Sequence, residues 1–138
     1  MPGPLAFPSA PRRPRIGTVI IADDDADMRL YVRSCLRSEG IGAILEAADG
    51  AEVLRLARAE TPDLVISDVV MPGLDGEALC RALKADPATA AIPLLLVSGQ
   101  KRPAAERALP VCADGFLAKP FNGAGLRDAV ARLLCRPP

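Results

Sequence analysis

Val19-Ile20-Ile21-Ala22-Asp23-Asp24-Asp25 decides how this chain folds: a short apolar run that stops abruptly in three carboxylates. The pattern recurs. Leu64-Val65-Ile66-Ser67 runs into Asp68, Leu94-Leu95-Leu96-Val97 into Ser98, and Phe116-Leu117-Ala118 into Lys119. Near-continuous apolar runs of this length suit strands buried on both faces, as in a parallel sheet covered by helices. In an open sheet of that kind, the carboxyl ends of the strands converge on one crevice where ligands bind. Asp23, Asp24, Asp68, Ser98 and Lys119 would share that crevice. Three carboxylates, a hydroxyl and an amine are an inventory for a divalent cation and a phosphoryl group.

Between these runs the apolar spacing turns helical. Strand 17–22 is followed by a helix over 26–38, with Met28, Tyr31, Val32 and Cys35 on one stripe and Gly40 at its end. Strand 43–47 leads through Asp49-Gly50 into a helix over 51–59, with Val53, Leu56 and Ala57 inward, which Thr61-Pro62 breaks. Strand 63–67 and the Met71-Pro72-Gly73 loop precede a helix over 76–85, ended by Asp86-Pro87. Strand 92–97, a short helix over 103–109 and strand 115–118 follow. The last helix opens at Asn122 or Gly123 and carries Leu126, Val130, Leu133 and Leu134 at i, i+4, i+7 and i+8. The expected fold is α/β, a doubly wound (βα)5 parallel sheet. Periodicity alone leaves the strand order open.

Residues 1–15, with five prolines and three arginines, read as a Pro/Arg-rich disordered tail, and 16–136 as one domain. The 17 basic and 17 acidic side chains cancel, so no nucleic-acid footprint is expected. No apolar run reaches the ~18 residues of a membrane span, and no signal peptide opens the chain, so a soluble, cytoplasmic protein is expected. Cys35, Cys80, Cys112 and Cys135 lie far apart without a C-x-x-C pair and read as reduced packing thiols. Histidine is absent, which excludes Ser-His-Asp hydrolysis, His-ligated zinc and a phosphohistidine carrier.

Adjacent carboxylates repel one another unless a cation or solvent relieves them. One of the three can cap the following helix, and Mg²⁺ is the natural cation for the others, with Mn²⁺ as a substitute. Beside such an ion, the Asp68 carboxylate can attack a phosphoryl donor and form an acyl phosphate. The Ser98 hydroxyl can donate to a phosphoryl oxygen, and Gly99, without a Cβ, leaves access. Lys119 offers its charge to a phosphate oxygen or to Asp68, and Pro120 fixes the loop behind it.

These residues, in this order at strand ends, resemble a two-component response-regulator receiver domain of the stand-alone, chemotaxis-regulator-like type, over about 16–136. The resemblance implies a flavodoxin-like strand order of 2-1-3-4-5. It implies Asp68 as phosphoacceptor, and Asp23, Asp24, Asp68 and the Val70 backbone carbonyl as the Mg²⁺ set, with Asp23 acting largely through water. It further implies Ser98 and Phe116 as the switch pair, Lys119 as the conserved-type lysine and Pro120 as a cis-proline. Three positions depart from the usual pattern: the extra acid Asp25, Phe116 without a tyrosine hydroxyl, and the apolar Val70, which with Gln100 bears on the lifetime of the acyl phosphate.

The function implied is a phosphorylation-dependent signalling switch rather than an enzyme. Its phosphoryl group would come from a histidine kinase or a His-containing phosphotransfer protein. Output would pass to a downstream protein through the face of the fourth helix, fifth strand and fifth helix, through a homodimer, or through phosphoryl relay. Neither nucleic acid nor membrane is an expected partner. Two alternatives are weighed against it: a receiver-like adaptor that never takes phosphate, and a metal-dependent phosphatase. The second would need another acid close after Asp68, where Val69-Val70 stands.

Overall fold

In a computed structural model, residues 16–37, 39–99 and 113–134 are described. The elements run β1 (Ile16–Ala22), α1 (Ala26–Leu36), β2 (Ile41–Ala47), α2 (Gly50–Glu60), β3 (Leu64–Asp68), α3 (Gly76–Ala85), β4 (Leu94–Ser98) and β5 (Gly115–Ala118). A last helix, Gly123–Leu134, closes the described chain. All four strand pairings are parallel, in the order β2-β1-β3-β4-β5. From β1 the chain first steps outward to β2 and then returns to the other side of β1 as β3. The order therefore reverses between β1 and β3, and a ligand crevice is expected at their carboxyl ends. Asp23 and Asp68 stand there.

Alternation along the strands sorts the core into two layers. Ile20, Val65, Leu94 and Leu96 pack with Val53 and Ala57 of α2 and Leu79 and Leu83 of α3. On the other side, Ile21, Ile66, Leu95 and Val97 pack with Val32 and Leu36 of α1 and Leu126, Val130 and Leu133 of the last helix. Each of these residues is nearly or wholly withdrawn from water. That burial explains why the strands read as unbroken apolar runs.

The first three helices to leave the carboxyl edge each start on an aspartate. Asp25, Asp49 and Asp75 accept from the backbone N–H of Asp27, Glu52 and Ala78, respectively. Each supplies an oxygen to a helix end whose first N–H groups lack intrahelical partners. At the far end of α2, Thr61 takes the left-handed conformation at φ 42° and returns its N–H to the Ala57 carbonyl. Pro62 then prevents the helix from continuing.

Three sequence expectations need correction. Helix α1 stops at Leu36, and its core stripe is Val32 and Leu36 rather than Tyr31, which is 42% exposed. Residues four apart share a helical face, and Tyr31 lies one step off that line. β2 begins at Ile41, two residues early, because Ile16 pairs with Ile41 and extends the ladder. Cys80 is disulfide-bonded, with its partner outside the described residues, whereas Cys35 is free. Sequence spacing does not report which sulfurs a fold brings together. The expected tail over 1–15 and helix over 103–109 also lie outside the described residues.

Gly76 governs how α3 leaves the end of β3. An added Cβ would stand 2.7 Å from the Asp68 carbonyl oxygen and 2.8 Å from the Val69 Cα, both backbone atoms. The Gly76 N–H meanwhile donates to the Val69 carbonyl at 2.8 Å. Gly76→Ala should lower stability by about 1–3 kcal/mol in urea unfolding, because backbone cannot yield as a side-chain tip can. An unchanged midpoint would show that the β3–α3 loop is looser than this packing requires.

Candidate functional site

The three consecutive aspartates do three different things. Asp23 is buried, 4% exposed, and every polar group it has is engaged. Its N–H donates to the Ala47 carbonyl at 3.1 Å, extending the β1–β2 ladder. Its Oδ1 accepts from the Asp25 N–H at 2.9 Å, and its Oδ2 accepts from Lys119 Nζ at 3.3 Å. Asp25 turns away as the cap of α1. Asp24 is exposed at the mouth of the crevice.

Asp68 closes β3 beside them. Its Oδ2 accepts from Lys119 Nζ at 3.3 Å, and its Oδ1 accepts from the Val70 N–H at 3.3 Å. One ammonium group thus bridges two carboxylates that are 96 and 51 residues away in the chain. Carboxylate oxygens of Asp23, Asp24 and Asp68 lie within 4.8 Å of one another. Apolar side chains, among them Ile21, Val32, Ile66 and Phe121, back onto Asp23 and Asp68 from inside the fold.

That apolar backing shows in the proton affinities. Burial raises the Asp23 pKa above its usual value, and the charge of Asp68 adds to the rise; the Asp25 N–H and Lys119 pull the other way. Burial works against the charge of Lys119, but Asp68 and then Asp23 outweigh it and hold its pKa above the ordinary lysine value. Lys119 therefore stays an ammonium.

The remaining sequence candidates fall around this centre. Ser98 is buried at the end of β4, and its carbonyl accepts from the Lys119 N–H at 2.8 Å, which places the two side by side. Phe116 pairs in register with Leu96 and packs half-buried against the layer that holds α2 and α3. By alternation along β4, Ser98 lies on the same sheet face as Leu96 and Phe116. The Lys119–Pro120 peptide is cis. Val70 is 51% exposed at the rim. A Cβ at Gly99 would make only ordinary contact with the Lys119 stem, the nearest atom at 3.5 Å, so space alone does not demand glycine there.

Sequence reasoning missed a polar network on the β2 side. Arg29 donates through Nε to Glu46 Oε1 at 2.9 Å and through Nη1 to the Asp23 carbonyl at 2.6 Å. Arg33 donates to Glu46 Oε2 at 2.9 Å and to the Ile44 carbonyl at 3.1 Å. The i,i+4 spacing of Arg29 and Arg33 puts them on one helical face, but only the fold supplies Glu46. On the opposite side, the Tyr31 hydroxyl donates to the Phe121 carbonyl at 3.2 Å, with the two rings 5.7 Å apart.

The sheet is doubly wound and parallel, and an acidic cluster and a lysine meet at its switch point, the place where such folds bind ligands. Residues 19–131 match the response regulator receiver domain, and the chain belongs to that family. It is 37% identical over 138 residues to the transcriptional regulatory protein PdtaR of Mycobacterium tuberculosis, covering 99% of this chain and 64% of that protein. It is 33% identical over 118 residues to histidine kinase P4 of Formosa agariphila, covering 85% of this chain and 8% of that one. The chain therefore spans less than two thirds of the length of either relative. The chemotaxis response regulator CheY4 of Vibrio cholerae superposes with a TM-score of 0.79 at 30% identity, covering 86% of this chain and 99% of that structure. The strand order expected from the resemblance is the order observed, and the chain is a receiver domain of the two-component kind. Receiver domains bind Mg²⁺ at an acidic cluster, and Asp23, Asp24 and Asp68 form such a group here. Among the described residues, no helix is long and apolar enough to cross a membrane.

The arginine network makes a pH prediction. Hydrogen bonding from Arg29, followed by Arg33, lowers the Glu46 pKa below its ordinary 4.5 despite partial burial. A carboxylate with a lowered folded-state pKa contributes stability above its unfolded value, and that contribution is lost as pH falls through the folded one. Glu46→Gln should therefore melt below the wild type at pH 7, with the gap closing below pH 4.5. A gap that persisted at pH 3 would show that the charge is not what matters at this position.

Proposed function

We propose that this receiver domain is a phosphorylation-dependent switch that takes a phosphoryl group onto Asp68. The observation that carries the proposal is the Lys119 ammonium, held 3.3 Å from both Asp23 and Asp68 with Asp24 open beside them. The oxygen-only donor set fits a hard divalent cation that takes one or two carboxylates and keeps several waters. Asp23, Asp24, Asp68 and the Val70 carbonyl would hold it. When bound, Mg²⁺ offsets the negative charge shared by the carboxylate and the incoming phosphoryl oxygens.

This chain's own residues account for the rest of the chemistry. Asp68 directs a carboxylate oxygen at phosphorus; a new P–O bond forms while the P–N bond of a donor phosphohistidine breaks. The electron pair leaves with the imidazole, which takes up a proton from solvent. Lys119 moves its charge from the carboxylates to a phosphoryl oxygen, a preorganised donor in a site with apolar walls. Ser98 donates its hydroxyl to another phosphoryl oxygen. On the same sheet face, Phe116 can then turn into the space Ser98 leaves, and the surface around β5 changes with it. Such a change is a population shift set by the differential affinity of the two states for the phosphoryl group. Val70 at the rim contributes to how readily water reaches the acyl phosphate.

The donor proposed is a histidine kinase or His-containing phosphotransfer protein, in keeping with the kinase relative. Output through a downstream protein or a homodimer belongs to the same proposal. So does a cytoplasmic setting, which the disulfide at Cys80 does not favour.

Intact-mass spectrometry after incubation with acetyl phosphate and Mg²⁺ tests this reading. One added phosphoryl group is expected on the wild type, and none on Asp68→Asn or after removal of divalent metal. If no adduct forms and beryllofluoride leaves the protein unchanged, the domain works as a phosphate-independent adaptor.

A further inference from the structure

Among the described residues, Arg29 is the least exposed arginine in an ion pair, its side chain 19% exposed. Its guanidinium joins two places that the rest of α1 does not connect. One hand grips Glu46 on β2, and the other donates to the Asp23 carbonyl at 2.6 Å. That carbonyl belongs to the Asp23–Asp24 peptide, a planar unit whose other end is the Asp24 Cα. Asp23 is already fixed through its N–H and both carboxylate oxygens. Asp24 has no such anchors among the described residues, and the plane of its preceding peptide sets where its side chain points.

We propose that Arg29 is a positioning residue for the cation pocket: it fixes the Asp23–Asp24 peptide so that Asp24 faces Asp68, while Glu46 neutralises the guanidinium beside the site. The inference rests on the Mg²⁺-dependent switch proposed above and concerns how well the pocket is built rather than whether it exists. Glu46 has a second role in this arrangement. Without its carboxylate, a partly buried positive charge would stand next to a site that must attract a cation. Arg33 holds the far oxygen of Glu46 and keeps it from turning toward the pocket.

The bland competitor is that the network only fastens α1 to β2. Arg33 separates the two ideas. It shares Glu46 and adds the Ile44 carbonyl, but it has no bond to Asp23. Loss of Arg33 therefore weakens the fastening and leaves the Asp23–Asp24 peptide held. A second competitor is simple charge repulsion, and it predicts the opposite sign. Removing a positive charge near a cation site should tighten Mg²⁺ binding, whereas removing the tether should weaken it.

Calorimetric Mg²⁺ titration of the unphosphorylated protein, paired with thermal melts, decides the matter. Arg29→Leu should weaken Mg²⁺ binding about tenfold, the lower end of what removing a group that orients a metal ligand costs. Arg33→Leu should lower the melting temperature but change Mg²⁺ affinity less than about twofold, by the same reasoning. At saturating Mg²⁺, the Arg29→Leu rate with acetyl phosphate should return close to that of the wild type. Unchanged or tighter Mg²⁺ binding in Arg29→Leu would overturn the proposal, as would an equal loss in Arg33→Leu. Should Arg29→Leu fail to fold, Arg29→Lys carries the same test, since a lysine cannot reach Glu46 and the carbonyl in a fork. A wild type that bound no Mg²⁺ would overturn the metal-dependent switch proposed above, a result distinct from all of these.

Discussion

One ammonium group between two carboxylates organises this molecule. Lys119 reaches from the end of β5 to Asp23 at the end of β1 and Asp68 at the end of β3. The sheet order forces the meeting. Because β1 and β3 are neighbours at the point where the winding reverses, their carboxyl ends leave a gap that neither α1 nor α3 covers. Charges of one sign collected there would repel, and Lys119 relieves them. On the proposed function, a divalent ion and a phosphoryl group would meet the same requirement together, the ion held by the carboxylates and the phosphoryl oxygens by the lysine.

The surroundings make that exchange matter. Apolar residues from β1, β3, β4 and α1 back the pocket, so charge inside it is poorly screened from behind. The raised Asp23 pKa is the cost of that setting, and Lys119 only partly offsets it. Order at the rim comes from backbone devices: the Asp25 cap, the tight Gly76 approach and the Arg29 tether on Asp23. A site this charged stays in shape because the peptides beneath it are held.

Much of this was legible in the residues themselves. The apolar runs marked all five strands within about two residues, most plainly in β1, β3 and β4, where burial on both faces leaves no polar alternation to mislead. Asp23, Asp68, Ser98 and Lys119 stood out because each ends such a run. Strand order was not legible from periodicity and came from resemblance, since pairing partners leave no local trace. The exposure of Tyr31 escaped notice because a helical stripe is read to within one residue, and 100° of rotation decides burial. The Arg29–Glu46 contact escaped because it needs the β1–β2 register, Ile21 opposite Glu46, before the two can be seen to meet. The Cys80 disulfide was misread for a similar reason: proximity in space is a property of the fold.

The most direct test is a crystal structure with Mg²⁺ and beryllofluoride. The account predicts a fluoroberyllate on an Asp68 oxygen and a metal ion among Asp23, Asp24, Asp68 and the Val70 carbonyl. It also predicts that Lys119 Nζ leaves Asp23 for a fluorine and that Ser98 moves toward the adduct. A structure grown under those conditions with Asp68 bare and Lys119 still bridging the two carboxylates would contradict it.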